Sequence, residues 1–150
     1  MDVSRILGLA IELELKTSEC YDKLSHIANN ESLRDELRKL AKEEIVHANL
    51  LKTGRTICRS QPEAFGSSHM RQEEIENHLV RIGGLIDSIT TGRISLLDAL
   101  GEIHAMENEF EQVHLKTLLE IRDPALQKLF RALSAQDHEH RQRLEMIMGA

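Results

Sequence analysis

The stretch LAKEEIVHANLL, residues 40–51, returns in outline as LSAQDHEHRQRL, residues 133–144. In each stretch, leucines at both ends frame a carboxylate that is followed three residues later by a histidine. Residues three apart lie on the same face of an α-helix. Each carboxylate and histidine are therefore predicted to lie side by side on a helix. The pairs are Glu44 with His47, and Asp137 with His140.

A constant offset relates the two halves of the chain beyond these stretches. The differences 107 minus 14, 137 minus 44 and 140 minus 47 all equal 93, so Glu107 corresponds to Glu14. The same offset relates the predicted helix caps Asn30 and Asp123, and several pairs of leucines. An amphipathic chain without a repeat would not show this regularity. The sequence thus predicts two copies of a helix hairpin.

Helical periodicity accounts for most of the chain. Apolar residues recur at intervals of three and four, whereas alternating β-branched runs are absent, and Gly (8) and Pro (2) are few. We therefore predict an all-α fold. The predicted helices span about 3–29, 32–58, 71–90, 95–121 and 124–148, the third interrupted at Gly83 and Gly84.

The connections between these helices predict one bundle of four helices within a single domain, residues 1–150. Hairpins 1–58 and 95–148 are joined by a long crossover, residues 59–94, which carries the extra short helix and a loop near 60–70. Short, long and short connections in this order are those of the ferritin-like topology.

Composition excludes several functional classes. Apolar residues make up 41% of the chain and charged residues 29%, and no run of about 18 apolar residues is long enough to cross a membrane. Lys and Arg number 19 against 25 for Asp and Glu, a net charge of −6 that argues against nucleic acid and anionic lipid. Cys20 and Cys58 form no CxxC motif, and no export signal is recognised. We expect a cytoplasmic protein.

Six residues are predicted to converge inside the bundle. Each hairpin contributes one carboxylate from its first helix and a carboxylate-histidine pair from its second, all on apolar stripes. Four carboxylates buried together repel one another and lose hydration, and two divalent cations would neutralise them. A single Glu-x-x-His pair occurs by chance in many helices, but two in register favour a metal site. The predicted ligands are Glu14, Glu44, His47, Glu107, Asp137 and His140.

These motifs resemble a known family. IELELKTSECY, residues 11–21, is similar to the first helix of the rubrerythrin-like branch of the ferritin-like di-iron superfamily, with Glu14 as ligand and Tyr21 seven residues later. LAKEEIVHANLL is similar to its second helix, and the resemblance covers nearly the whole chain. It implies two irons held by the six predicted ligands, reduction of oxygen or peroxide, and a homodimer. Mn or Zn would also suit such ligands.

The chain departs from the family pattern at three positions. Asp137 stands where the family has Glu, and Phe110 occupies the position of a further Glu found in peroxidase members. His114 stands where the first half has Tyr21, and it is expected either to hydrogen-bond a ligand carboxylate or to be an additional ligand. Without a rubredoxin-type site, a separate electron donor would be needed.

Other polar residues near the site are assigned to the outer face of the bundle. They are Glu43, Glu109, Glu111 and His138. Glu111 lies one turn from Glu107 and is within possible reach of a metal, and His104 is a minor candidate ligand.

Three functions remain open from the sequence. The leading hypothesis is a di-iron oxidoreductase, and the alternatives are iron sequestration or transfer, and a degenerate bundle that serves as an interaction module. A homodimer is also expected from the residues, because the first helix has two adjacent apolar stripes and the crossover segment is apolar.

Overall fold

A computed structural model of the chain describes residues 3–61, 72–118 and 121–149. All regular secondary structure in these ranges is α-helical, which confirms the predicted all-α class. No helix in them combines the length and the apolar character needed to cross a membrane. The helices are α1 (Val3–Ile27), α2 (Glu31–Ser60), α3 (Gln72–Thr90), α4 (Leu96–Leu118) and α5 (Pro124–Gly149).

The second helix of each hairpin begins at the predicted cap. The backbone N–H of Leu33 donates to Asn30 Oδ1 at 2.8 Å, and the N–H of Leu126 donates to Asp123 Oδ2 at 2.9 Å. These side chains satisfy backbone donors that a helix cannot satisfy internally. The cap residues and the residues that donate to them are related by the same offset of 93. Asn30 corresponds to Asp123, and Leu33 corresponds to Leu126. The repeat therefore extends to the hydrogen bonds that start these helices.

The four long helices form a ring in the order α1, α2, α5, α4. Contact is most extensive within the hairpins, α1 with α2 and α4 with α5, whereas the backbones of different hairpins approach closely at few positions. The space between the hairpins is filled by long side chains. Leucines from both hairpins form much of the fully buried core: Leu7, Leu24, Leu37, Leu40, Leu51, Leu126, Leu133 and Leu144.

The crossover helix α3 is continuous, so the predicted interruption at Gly83 and Gly84 is wrong. A Cβ atom added at either glycine would meet nothing within 4 Å, which shows that no close packing dictates glycine there. Glycine costs about 1 kcal/mol relative to alanine inside a helix, a penalty that burial of neighbouring apolar side chains outweighs. The buried apolar residues of α3 are Ile75, Ile82, Leu85, Ile86 and Ile89.

Helix α3 packs mainly on α1 and touches α4. Its apolar face and the wide apolar face of α1 are therefore covered within one chain. The homodimer that these two faces led us to expect stays a prediction.

The observed helix ends differ from the predicted ones by a few residues. Helix α2 continues to Ser60, and α4 is described as far as Leu118, beyond which residues 119–120 lie outside the described residues. Most of the predicted loop at 60–70 falls outside the described residues.

Replacing either cap with alanine should destabilise the bundle. We expect Asn30→Ala and Asp123→Ala each to lower the free energy of unfolding by about 1 kcal/mol, because a backbone donor loses its acceptor. Urea denaturation measures the change. Ser32→Ala, at an exposed position in the first turn of α2, is the control and should change stability by less than half as much. Equal effects of all three variants would contradict the role of the caps.

Candidate metal centre

The six predicted ligands lie together inside the bundle, and none of them is more than 5% exposed. They come from all four long helices: Glu14 from α1, Glu44 and His47 from α2, Glu107 from α4, Asp137 and His140 from α5. Ionisable side chains are rarely buried so completely unless they are paired or bind a metal. Among the described residues the structure brings ligand atoms of Glu44, His47 and His140 within 4.8 Å of one another, and Glu14 and Asp137 also face His47.

His47 lies at the centre of the cluster. Its Nδ1 atom is 3.3 Å from Glu44 Oε2, 3.6 Å from Glu14 Oε2 and 4.0 Å from Asp137 Oδ1. None of these approaches has hydrogen-bond geometry, and neither ring nitrogen of His47 has a hydrogen-bond partner among the described residues. A buried polar group without a partner costs about 1–3 kcal/mol. A cation between the nitrogen and the carboxylates would satisfy all of them.

Glu44 faces both imidazoles. Its Oε2 atom is the one near His47, and its Oε1 atom lies 2.9 Å from His140 Nδ1. The two rings are stacked, with centroids 4.7 Å apart. One potential ligand atom from each of Glu44, His47 and His140 lies within 4.8 Å of the other two. The carboxylate of Glu44 therefore presents one oxygen to each imidazole.

Proton sharing balances the buried charge where no cation is bound. Burial, followed by repulsion from Glu14, raises the pKa of Glu44 well above its usual value, and burial with repulsion from Glu44 does the same for Glu107. Burial also opposes ionisation of Glu14, but a proton shared with Glu44 and the positive charge of the nearby His47 outweigh that effect and lower the pKa of Glu14 to about 2. Metal ions take the place of such protons at carboxylate sites.

Tyr21 occupies the position predicted for it beside the site. Its hydroxyl donates a hydrogen bond to Glu107 Oε1 at 2.8 Å, and the ring is fully buried. Burial and the nearby Glu107 raise the pKa of Tyr21 well above 10, so the hydroxyl keeps its proton. This hydrogen bond holds one carboxylate oxygen of Glu107.

His114 hydrogen-bonds Asp137, which is the first of its two expected roles. The bond joins His114 Nδ1 to Asp137 Oδ2, and both side chains are buried. Burial disfavours the imidazolium, but the charge of Asp137 outweighs burial and raises the pKa of His114. The other oxygen of Asp137 is the one that faces His47. His114 therefore orients a carboxylate of the cluster from outside.

Glu43 was predicted to be an outer-face charge, and its side chain is 41% exposed, but it also contacts a predicted ligand. Its Oε2 atom lies 2.6 Å from His140 Nε2, and its carboxylate accepts two hydrogen bonds from Arg143 Nη1. Histidines that bind metals commonly donate their second ring N–H to a carboxylate, which fixes the tautomer. With Nε2 held by Glu43, the Nδ1 atom of His140 is left facing Glu44. The signal in the sequence was the doublet Glu43-Glu44.

Glu111 was wrongly predicted to lie on the outer face, because residues of α5 cover it. It is buried, accepts a hydrogen bond from Arg141 Nε at 2.7 Å, and lies 3.0 Å from His138 Nδ1. Its charge is neutralised there rather than at the cluster. His104, the minor candidate ligand, pairs with Glu145 at 3.1 Å and takes no part.

Comparison of the chain with protein-family models, with curated proteins and with solved structures found no match. The description of this centre therefore rests on its own residues and their geometry.

Removing the Tyr21 hydroxyl should cost stability without removing the ring. We expect Tyr21→Phe to lower the free energy of unfolding by about 1 kcal/mol, because Glu107 loses a buried hydrogen bond. Urea denaturation of metal-free protein measures it. Phe130→Leu, a buried ring position away from the hydroxyl, reports the cost of packing changes. A Tyr21→Phe variant as stable as wild type would contradict the inferred bond.

The ion pair of Glu111 should make stability depend on pH. Although burial opposes ionisation, hydrogen bonds with Arg141 and His138 lower the pKa of Glu111. Its contribution is therefore complete above the unfolded value of about 4.3 and is lost as the pH falls through the lower, folded value. We expect Glu111→Gln to reduce stability by about 1–2 kcal/mol at pH 7.

The loss should shrink towards zero in a series of urea denaturations from pH 7 to pH 3. Glu12→Gln, at an exposed position on α1, should match wild type throughout the series. A difference between Glu111→Gln and wild type that persists unchanged at pH 3 would exclude the ion pair as its cause.

Proposed function

We propose that this chain is a ferritin-like carboxylate protein of the rubrerythrin type, which holds two irons between its hairpins and acts as an oxidoreductase on dioxygen or peroxide. The observation that carries this proposal is His47. Its Nδ1 atom is buried, faces carboxylates from three helices within 4.0 Å, and makes no hydrogen bond to them. A site built only to hold the bundle together would pair that nitrogen.

The chemistry of the donor set supports iron. Four carboxylates and two imidazoles suit first-row divalent metals, and such sets occur in bundle cores with one carboxylate on each of two helices and a carboxylate-histidine pair on each of the others. Glu14 and His47 would hold one ion, and Glu107 and His140 the other. Glu44, with an oxygen towards each imidazole, would lie between them together with Asp137.

Bound iron supplies redox chemistry and Lewis acidity at such a site. Side chains of the protein hold the ligand residues in their orientations. Tyr21 orients Glu107, Glu43 orients His140, and His114 orients Asp137 while keeping a proton at the edge of the cluster. Burial of all six ligands excludes bulk water and strengthens each of these interactions.

Iron binding is the first test of the proposal. Anaerobic titration of metal-free protein should find about two Fe(II) per chain, since the donor set matches two ions. Glu44→Gln should weaken binding at both positions by at least tenfold, because Glu44 faces both imidazoles, whereas Glu12→Gln should bind as wild type does. Iron at 100 times its dissociation constant should stabilise the fold by about 2.7 kcal/mol, seen as a higher melting temperature.

Failure of wild-type protein to bind Fe(II) would overturn the proposal. If iron binds, turnover separates the oxidoreductase from iron sequestration. Repeated reduction of dioxygen or peroxide in the presence of a chemical electron donor supports the enzyme. A single oxidation followed by retention of ferric iron supports sequestration.

A further inference from the structure

A small cavity lies beside the metal centre, between α1, α3 and α4, and its volume is about 30 Å³. A volume of about 15 Å³ is enough for one water molecule, so this cavity holds one molecule of two heavy atoms. Most of its wall is hydrocarbon, from Ala10 and Leu13 of α1, Ile75 of α3, and Phe110 and Val113 of α4.

The inner end of the cavity reaches the candidate site. Glu14 and His114 line it there, the first a predicted ligand and the second the partner of Asp137. A molecule in the cavity would therefore be next to the metal centre without replacing any of the hydrogen bonds that orient the ligands.

Helix α3 lies at the outer end, where the exposed Glu74 and the half-buried His78 line the cavity. The ring of His78 packs on Phe110, with centroids 5.2 Å apart. Both of its nitrogens are engaged, Nδ1 near the carbonyl oxygen of Glu74 at 2.7 Å and Nε2 with Glu109. The side chain of His78 thus turns its carbon atoms, rather than a free donor or acceptor, towards the cavity.

The repeat places other side chains at the positions that correspond to two residues of the cavity wall. Under the offset of 93, Ala10 corresponds to Ile103 and Leu13 to Met106, and both of those larger or longer side chains are fully buried. The small side chain of Ala10, which leaves room beside α3, is therefore not repeated at the corresponding position of α4.

A second opening near the site has a different character. It is lined by Glu43 and Val46 of α2 and by Gln136, Glu139 and His140 of α5. It therefore reaches the site from the side of α2 and α5. Charged and hydrogen-bonding species have a polar path there. The cavity at Ala10 offers such species no polar path between its two ends. A polar group that is buried there without a partner costs about 1–3 kcal/mol.

We propose that the cavity at Ala10 is a binding site for dioxygen. The inference rests on the proposed function and deepens it, because it names dioxygen rather than peroxide as the oxidant that binds beside the metal site. Dioxygen is small and uncharged. It forms no hydrogen bonds with water, so it loses none when it enters a cavity lined by hydrocarbon. Hydrogen peroxide carries two O–H donors and would lose at least one of its hydrogen bonds there.

The test uses metal-free protein and the paramagnetism of oxygen. Methyl relaxation in NMR spectra is compared under oxygen and under nitrogen at equal pressure. We expect relaxation at the methyl groups of Leu13 and Ile75 to increase several times more than at the equally buried Leu85 and Ile86, and relaxation at the partly buried Val113 to increase more than at the partly buried Leu50. Equal increases at both sets would overturn the inference.

Variants at one position make the comparison sharper. Ala10→Val should fill the cavity and reduce the oxygen effect at Ile75 and Val113 to that of the other core methyls. Ala10→Gly keeps the cavity open and should retain the effect. If Ala10→Val does not fold, Ile75→Ala enlarges the cavity from α3 and should increase the effect at Leu13 and Val113 instead. Variants that leave the relaxation pattern unchanged would overturn the inference.

The iron-loaded protein distinguishes failure of this inference from failure of the proposed function. Ala10→Val should slow oxidation of bound Fe(II) by dioxygen severalfold and leave oxidation by peroxide unchanged. Equal slowing of both reactions, or of neither, overturns the dioxygen site while iron binding still supports the proposed function. Absence of iron binding overturns the proposed function even where methyl relaxation shows oxygen in the cavity.

Discussion

Charge balance in the core is the constraint on which the rest of this structure depends. Four carboxyl groups are buried within a core that is otherwise built largely of leucines from both hairpins. Apolar layers of leucine above and below exclude water and make each charge more costly. Any group that supplies positive charge to this layer, whether protons on Glu44, Glu107 and His47 or metal ions, therefore also supports the packing of the hairpins.

The two halves place corresponding polar residues at the site, but different contacts orient those residues. Tyr21 of α1 donates a hydrogen bond to Glu107 of α4, which belongs to the other hairpin. The corresponding His114 hydrogen-bonds Asp137 of its own hairpin, rather than Glu14 of the other. Glu43 holds the outer nitrogen of His140, whereas its counterpart by the repeat is Gln136 and the outer nitrogen of His47 has no partner among the described residues. The repeated backbone thus carries two unequal halves of one centre.

The crossover helix completes the core as well as connecting the hairpins. It packs mainly on α1, and its first turns line the cavity at Ala10. A connection that packs in this way limits access to one side of the centre. The opposite side, near Glu43 and His140, remains lined by polar groups.

The amino-acid sequence by itself determined the helices, their caps and the six inward polar residues. These features depend on periodicity and on local hydrogen bonds, as at Asn30 and Asp123, and an exact repeat makes the inward positions visible twice. Only the tertiary structure decided the roles of Glu43 and Glu111, because each lies to one side of its own helix and meets a partner on α5. The same holds for the cavity at Ala10 and for the unbroken α3, since both depend on which faces pack together rather than on the residues of one helix.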